Sequence, residues 1–274
     1  MEDLKLDFDV ATDPPGADMR QDGMGPANRS FISSVLGGVI AAQRTESTRP
    51  RIRIEVDIRQ CCMVLCDASP DEAVAYFERL IRRGLTIEHL FEDTFGRISG
   101  RLGEKWSCDQ ISFVDVAFAY SNLQIVLHRL KPLYIGSRDA ANDRRAIAIA
   151  TLPGETHVFG MLVVAAQLER RGFDVTTFGG LTADELIAAL ARAPVTAIGL
   201  SCGTNTRLSD LEDIVGRLHM SLTGRPIIVG GMVTALHGPD ALGVPVARWG
   251  GSVSDIVSFL EAGSAKELHN VDSS

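Results

Sequence analysis

The chain has 274 residues, 45% of them apolar, enough for two modest domains each with its own core. Its formal charge of −8 argues against a nucleic-acid binder, and no apolar run approaches the roughly 20 residues of a membrane span. The opening MEDLKLDFDVATDPPG is acidic and lacks the basic start and apolar run of a signal peptide, so a soluble, cytoplasmic protein is expected.

Residues 1–28 carry Asp, Pro and Gly without periodicity and read as a flexible tail. A short apolar helix is expected over Ser30–Arg44 and a second over Arg53–Cys66. A third opens at Ser69-Pro70-Asp71-Glu72, a capping box with proline at the first helical position, and stops at Gly84. The next follows Thr86 to about Trp106, with Ile87, Leu90, Phe91, Phe95, Ile98 and Leu102 forming one buried stripe. Another spans Ser112–Leu130, with Phe113, Val116, Ala117, Tyr120, Leu123 and Leu127 on its inner face. Together these predict a helical bundle over 29–131. Cys61, Cys62, Cys66, Cys108 and Cys202 make an odd count with no Cys-x-x-Cys, and read as reduced packing residues. Arg79, Arg82 and Arg83 form a local basic patch.

Residues 132–144 read as a charged linker, and the texture then changes. Short apolar strands are expected at 146–150, 173–178, 197–200, 226–229 and 246–249. They alternate with helices at 158–171, at 206–222, after the capping box Thr182-Ala183-Asp184-Glu185, and after Ser252. Apolar strands alternating with helices predict a flavodoxin-like, doubly wound parallel five-stranded sheet over 145–274, which makes the whole an α/β protein with an N-terminal helical bundle. Ligands of such sheets sit at the carboxyl ends of the strands. That rule brings loop 151–157, Ser201-Cys202-Gly203 and Gly230-Gly231 to one rim.

On that rim, Glu155-x-His157-x-x-Gly160, then Ser201-x-Gly203, then Gly230-Gly231 resembles the cobalamin-binding signature Asp-x-His-x-x-Gly, Ser-x-Leu, Gly-Gly over about 145–262. Glu155 stands where aspartate is more frequent, Gly203 where the signature has leucine, and the first spacing is one residue shorter. The resemblance implies that His157 is the metal ligand, displacing the cofactor's own base from cobalt. Glu155 would hold its other ring nitrogen, and the displaced nucleotide tail would thread past Gly160, Gly199, Ser201, Gly203, Gly230 and Gly231. Upstream, Gly103-Glu104-Lys105-Trp106 resembles the Gly-x-x-Trp element of the bundle that caps cobalamin, placing Trp106 over the corrin.

Where light sensors of the CarH type carry a Glu-His pair, this chain has Val116 and Ala117, and no helix-turn-helix precedes them. The segment Trp106-x-x-Asp109-x-x-Ser112-Phe113-x-x-Val116, with Leu123-Gln124 and Arg129-Leu130, instead resembles the AerR/PpaA family of photosystem-gene antirepressors. That resemblance covers about 54–262. It implies a light-linked, cobalamin-binding transcriptional regulator that takes the hydroxo form, has no catalytic residues, and contacts a CrtJ/PpsR-type repressor. DNA would be reached only through that partner, and no membrane contact is expected. A corrinoid methyl-carrier subunit and a heme sensor that uses His157 on the same fold stand as alternatives.

Overall fold

The computed structural model describes residues 55–136, 145–203, 206 and 208–271, the stretch 263–271 by its backbone alone. The expected tail, the helix over Ser30–Arg44 and the heart of the linker lie outside the described residues.

Helix α1, Ile58–Asp67, starts where the Asp57 carboxylate accepts the N–H groups of Arg59 and Gln60 at 2.9 and 3.2 Å, a few residues later than the apolar pattern implied. Helix α2, Pro70–Arg82, has the expected capping box: the Glu72 carboxylate accepts the Ser69 N–H at 2.9 Å. Gly84, at φ 111°, ends it. The single turn α3, Ile87–His89, continues through a π turn, Leu90–Thr94, into α4, Phe95–Ser107. The wider turn sets Phe91 and Phe95 edge to face, ring centroids 4.9 Å apart, in the bundle core.

Helix α5 runs over Phe113–Ile135, capped by Ser112 with Asp115 in return. It passes through Pro132, where a linker was expected to begin. Proline forfeits one hydrogen bond there. The last turn is held by Tyr134, fully buried and stacked on Phe91 with centroids 4.2 Å apart. Gly136, at φ 75°, stops the helix. The inner face also differs from expectation. Val116, Ala119, Asn122, Leu123, Val126, Leu127 and Leu130 are buried, whereas Ala117 is exposed and Phe113 is 72% exposed. The buried thiols Cys61, Cys62 and Cys202 pack as expected, and burial pushes them up to about 12, 11 and 12; Cys108 is exposed.

The sheet strands are β1 Ala146–Thr151, β2 Asp174–Phe178, β3 Ala197–Cys202, β4 Ile227–Gly231 and β5 Arg248–Trp249. They are all parallel, in the order β2-β1-β3-β4-β5. One face, with Ala148, Ala150, Ile198, Leu200 and Val229, packs on α7 (Ala183–Arg192) and α8 (Leu208–Ser221). The other, with Ile147, Ile149, Ala197 and Ile228, packs on α6 (Phe159–Arg170) and α10 (Val253–Val271); the short α9 is Val233–Leu236. Strand order reverses between β1 and β3, which opens a crevice at their carboxyl ends.

The bundle sits against α6. Tyr120 meets Phe159 near the start of that helix, and Lys131 pairs with Glu169 at 2.8 Å near its end. Helices α5 and α6 therefore run in the same direction. The seven residues Phe113–Ala119 extend about 10 Å past the start of α6, at ~1.5 Å each, toward the carboxyl rim of the sheet.

Candidate cofactor site at the carboxyl rim

The loop after β1 turns at Gly154, whose φ of 77° suits a residue without a side chain, and the Glu155 N–H closes the turn on the Leu152 carbonyl at 3.0 Å. The Glu155 side chain is only 8% exposed. One carboxylate oxygen accepts both the His157 backbone N–H at 2.8 Å and the imidazole Nδ1 at 2.6 Å; the other accepts the Gly203 N–H at 3.1 Å. A single carboxylate thus spans the crevice from the β1 loop to the end of β3. It also fixes the ring. With Nδ1–H donated to Glu155, the lone pair lies on Nε2, and 58% of the His157 side chain faces solvent.

The electrostatics follow from this geometry. The hydrogen bond to Glu155 raises the His157 pKa, burial opposes the rise, and the neighbouring charge adds to it. Burial raises the Glu155 carboxyl, but the donors from His157 and Gly203 outweigh it and leave the group below its usual value. Among the described residues no cluster of three or more His, Cys, Asp or Glu side chains is arranged to hold a metal. A lone, oriented imidazole suits a metal whose remaining positions a macrocycle fills.

The glycines divide by role. A Cβ on Gly203 would lie 2.2 Å from Glu155 Oε2, and one on Gly231, at φ 92°, would lie 2.4 Å from the Cys202 carbonyl. Both are imposed by the protein's own packing. A Cβ on Gly160 or Gly230 would meet nothing within 4 Å, so at these positions the chain keeps space open that its own atoms do not need. Gly199 allows a Cβ at ordinary contact distance, 3.7 Å. Register places Thr151 beside Ser201 and Ser201 beside Gly230, one row across three strands. Strand alternation puts this row on the α6/α10 face. The Thr151 hydroxyl is buried with no hydrogen-bond partner in the structure.

Seven of the eight site residues expected from the sequence, Glu155, His157, Gly160, Ser201, Gly203, Gly230 and Gly231, gather on this rim. The eighth, Trp106, comes from the bundle, in the last turn of α4, and is 44% exposed. One contributor escaped the sequence reading: Thr151, legible only as a polar residue closing an apolar strand. Phe113, read as core, stands exposed on the first turn of α5.

The family model of the B12 binding domain matches residues 145–254. The match covers the sheet and the helices that flank it, and leaves the bundle outside. The chain is also 25% identical over 160 residues to the uncharacterized 20.5 kDa protein in the bchF-crtJ intergenic region of Rhodobacter capsulatus, covering 58% of this chain and 83% of that protein. Both findings agree with the AerR/PpaA-like cobalamin-binding protein that the sequence resembles. Among solved structures, the Methanosarcina barkeri monomethylamine corrinoid protein superposes with a TM-score of 0.57 at 10% identity, over 72% of this chain and 92% of that one. It shares the fold. A cobalamin-binding protein of Desulfitobacterium hafniense aligns over 76% of this chain and 98% of its own at 16% identity, with a TM-score of 0.35. Among the described residues no helix is long and apolar enough to cross a membrane.

Proposed function

We propose that this chain is a cytoplasmic, cobalamin-dependent regulator without catalytic activity of its own, acting by contact with an aerobic photosystem-gene repressor of the CrtJ/PpsR type. The observation that carries the reading is the Glu155-held imidazole, its side chain 58% exposed and its Nε2 carrying the lone pair, at the rim of the region that matches the B12 binding domain. His157 supplies the metal ligand, Glu155 fixes its tautomer and raises its basicity, and Gly203 steadies the carboxylate from β3. Gly160, Ser201, Gly230 and Gly231 border the space for the nucleotide tail, and Trp106 with the projecting start of α5 covers the cofactor from the bundle. The cofactor held here would be hydroxocobalamin, the form left when free alkylcobalamin loses its alkyl group in light and air, and it would supply a cobalt centre open to the His157 imidazole. Support for the regulatory role is the Rhodobacter capsulatus relative, whose name places it beside crtJ, together with the Trp106–Val116 segment.

An absorption titration of the dark apoprotein with hydroxocobalamin, adenosylcobalamin, methylcobalamin and heme tests this, with His157→Ala in parallel and repressor binding assayed for each state. A histidine-on spectrum confined to hydroxocobalamin, lost in the variant together with ligand-dependent repressor binding, is expected. Equal uptake of methylcobalamin, with methyl transfer to a thiol or folate acceptor when a methyltransferase is supplied, would make the chain a methyl carrier. Heme uptake alone would replace the ligand.

A further inference from the structure

The start of α6 faces three ways. His157, just before it, opens to the rim. Val158 and Met161 pack on the sheet. Phe159 does neither. It is 4% exposed, and its ring lies in the bundle core, edge-on to Phe95 (centroids 5.7 Å apart, planes at 87°) and tilted against Tyr120 (6.2 Å, 64°). Tyr120 is itself held, its hydroxyl donating to the Ser99 carbonyl at 3.1 Å. Phe95 directly follows the π turn Leu90–Thr94, and α6 reaches that turn a second time, where Gln167 Nε2 donates to the Phe91 carbonyl at 3.0 Å. π turns are uncommon helical forms that often mark functional sites. This one buries the Thr94 hydroxyl without a hydrogen-bond partner. Two side chains of one helix thus grip an irregular turn of the bundle, and the first of them is two residues from the rim histidine.

We propose that Phe159 is a positioning residue that couples ligation at His157 to the bundle through Phe95, Tyr120 and the π turn. The inference rests on cobalamin binding at His157. When Nε2 engages a metal, the 152–158 loop settles around the ligated ring, and Phe159, the next residue of the chain, shifts within a close-packed aromatic cluster. Such clusters repack between discrete arrangements and do not deform smoothly. The coupling is reciprocal by linkage: a partner that binds the bundle and favours one arrangement of the π turn changes cobalamin affinity by the same factor.

The test is amide hydrogen exchange of the full chain with and without hydroxocobalamin, in wild type, Phe159→Ala, Phe159→Leu and Tyr120→Leu, with the absorption spectrum recorded beside it. In wild type the cofactor is expected to slow exchange across 87–107. Phe159→Ala is expected to keep the histidine-on spectrum while losing about fivefold or more of that protection, the low end of ordinary coupling factors. Phe159→Leu should restore part of it. Tyr120→Leu removes the contact from the bundle side and leaves α6 intact, which decides the matter where Phe159→Ala fails to fold. Wild-type protection in every variant that retains the spectrum, or wild-type binding that leaves 87–107 unchanged, overturns the coupling alone. Failure of the wild-type chain to bind hydroxocobalamin overturns the cofactor reading and the coupling with it.

Discussion

Glu155 binds the site together because its carboxylate serves two donors on one strand's loop and one on the next strand, and each partner leaves a measurable signature. The raised His157 pKa means that the protonated pair stabilises the fold below the pKa of a free imidazole, and that this contribution fades as pH rises through the raised value. The depressed Glu155 carboxyl contributes above its unfolded value and is lost as pH falls through the folded one. Ligation needs the neutral ring, so protons compete with cobalt. Hydroxocobalamin affinity is expected to fall by about tenfold per pH unit below the raised His157 value. In Glu155→Gln the fall should begin at lower pH, with affinity at neutral pH weakened by about 10–100-fold; titrations from pH 5 to 8 measure both. Two departures from the signature also become one. The extra methylene of Glu155 carries its carboxylate into the place a side chain at 203 would need. Gly203→Leu should therefore abolish tight binding in the native background and be far milder alongside Glu155→Asp, a non-additivity that a double-mutant cycle would read directly.

At the scale of elements, Gly231 fixes how β4 meets the crevice. Its φ of 92° strains any side chain, by about 1–3 kcal/mol, and a Cβ would press on the Cys202 carbonyl of β3. Gly231→Ala is expected to lower the thermal midpoint by roughly 5 °C or more, at ~2–4 °C per kcal/mol for a chain of this size, with the loss visible by calorimetry. Most elements were legible because their signals are local: the capping boxes at Ser69 and Thr182, the glycine stop at Gly84, and the continuous apolar strands. The misses come from tertiary packing. Pro132 reads as a break, but the buried, stacked Tyr134 carries the helix past it. Phe113 and Ala117 obey helical spacing, yet in this stretch the helix turns Val116 and Ala119 inward and leaves these two exposed. No local pattern announces the π turn, whose Phe91 packs against Phe95 and Tyr134, the latter far away in sequence. On the rim, residue types and strand-end placement were readable, whereas the bond from Glu155 to Gly203 joins residues far apart in sequence.

Across the whole molecule, bundle and sheet meet along one shared helix, α6. Phe159 and Ala166 of α6 belong to the bundle core, while Met161, Ala165 and Leu168 of the same helix belong to the sheet. Polar ties lie around this seam: Lys131 with Glu169, Arg170 with Glu88 and the Tyr134 carbonyl, and the Arg170 guanidinium 4.7 Å from the centre of the Tyr134 ring. The full chain is expected to unfold in one transition, and Arg170→Ala to loosen the bundle first, seen as earlier proteolytic nicking of α1–α4 than of the sheet. The double-sided character of α6 also bears on how such proteins can be cut and recombined. Residue 145, where the family match begins, marks the edge of a recurring sequence module and not the edge of a unit that can stand alone. A fragment starting there would carry Phe159, Leu162, Val163 and Ala166 as a bare greasy stripe and would precipitate or pair with itself. For the same reason, a bundle transplanted from another protein would have to bring a matching α6 along.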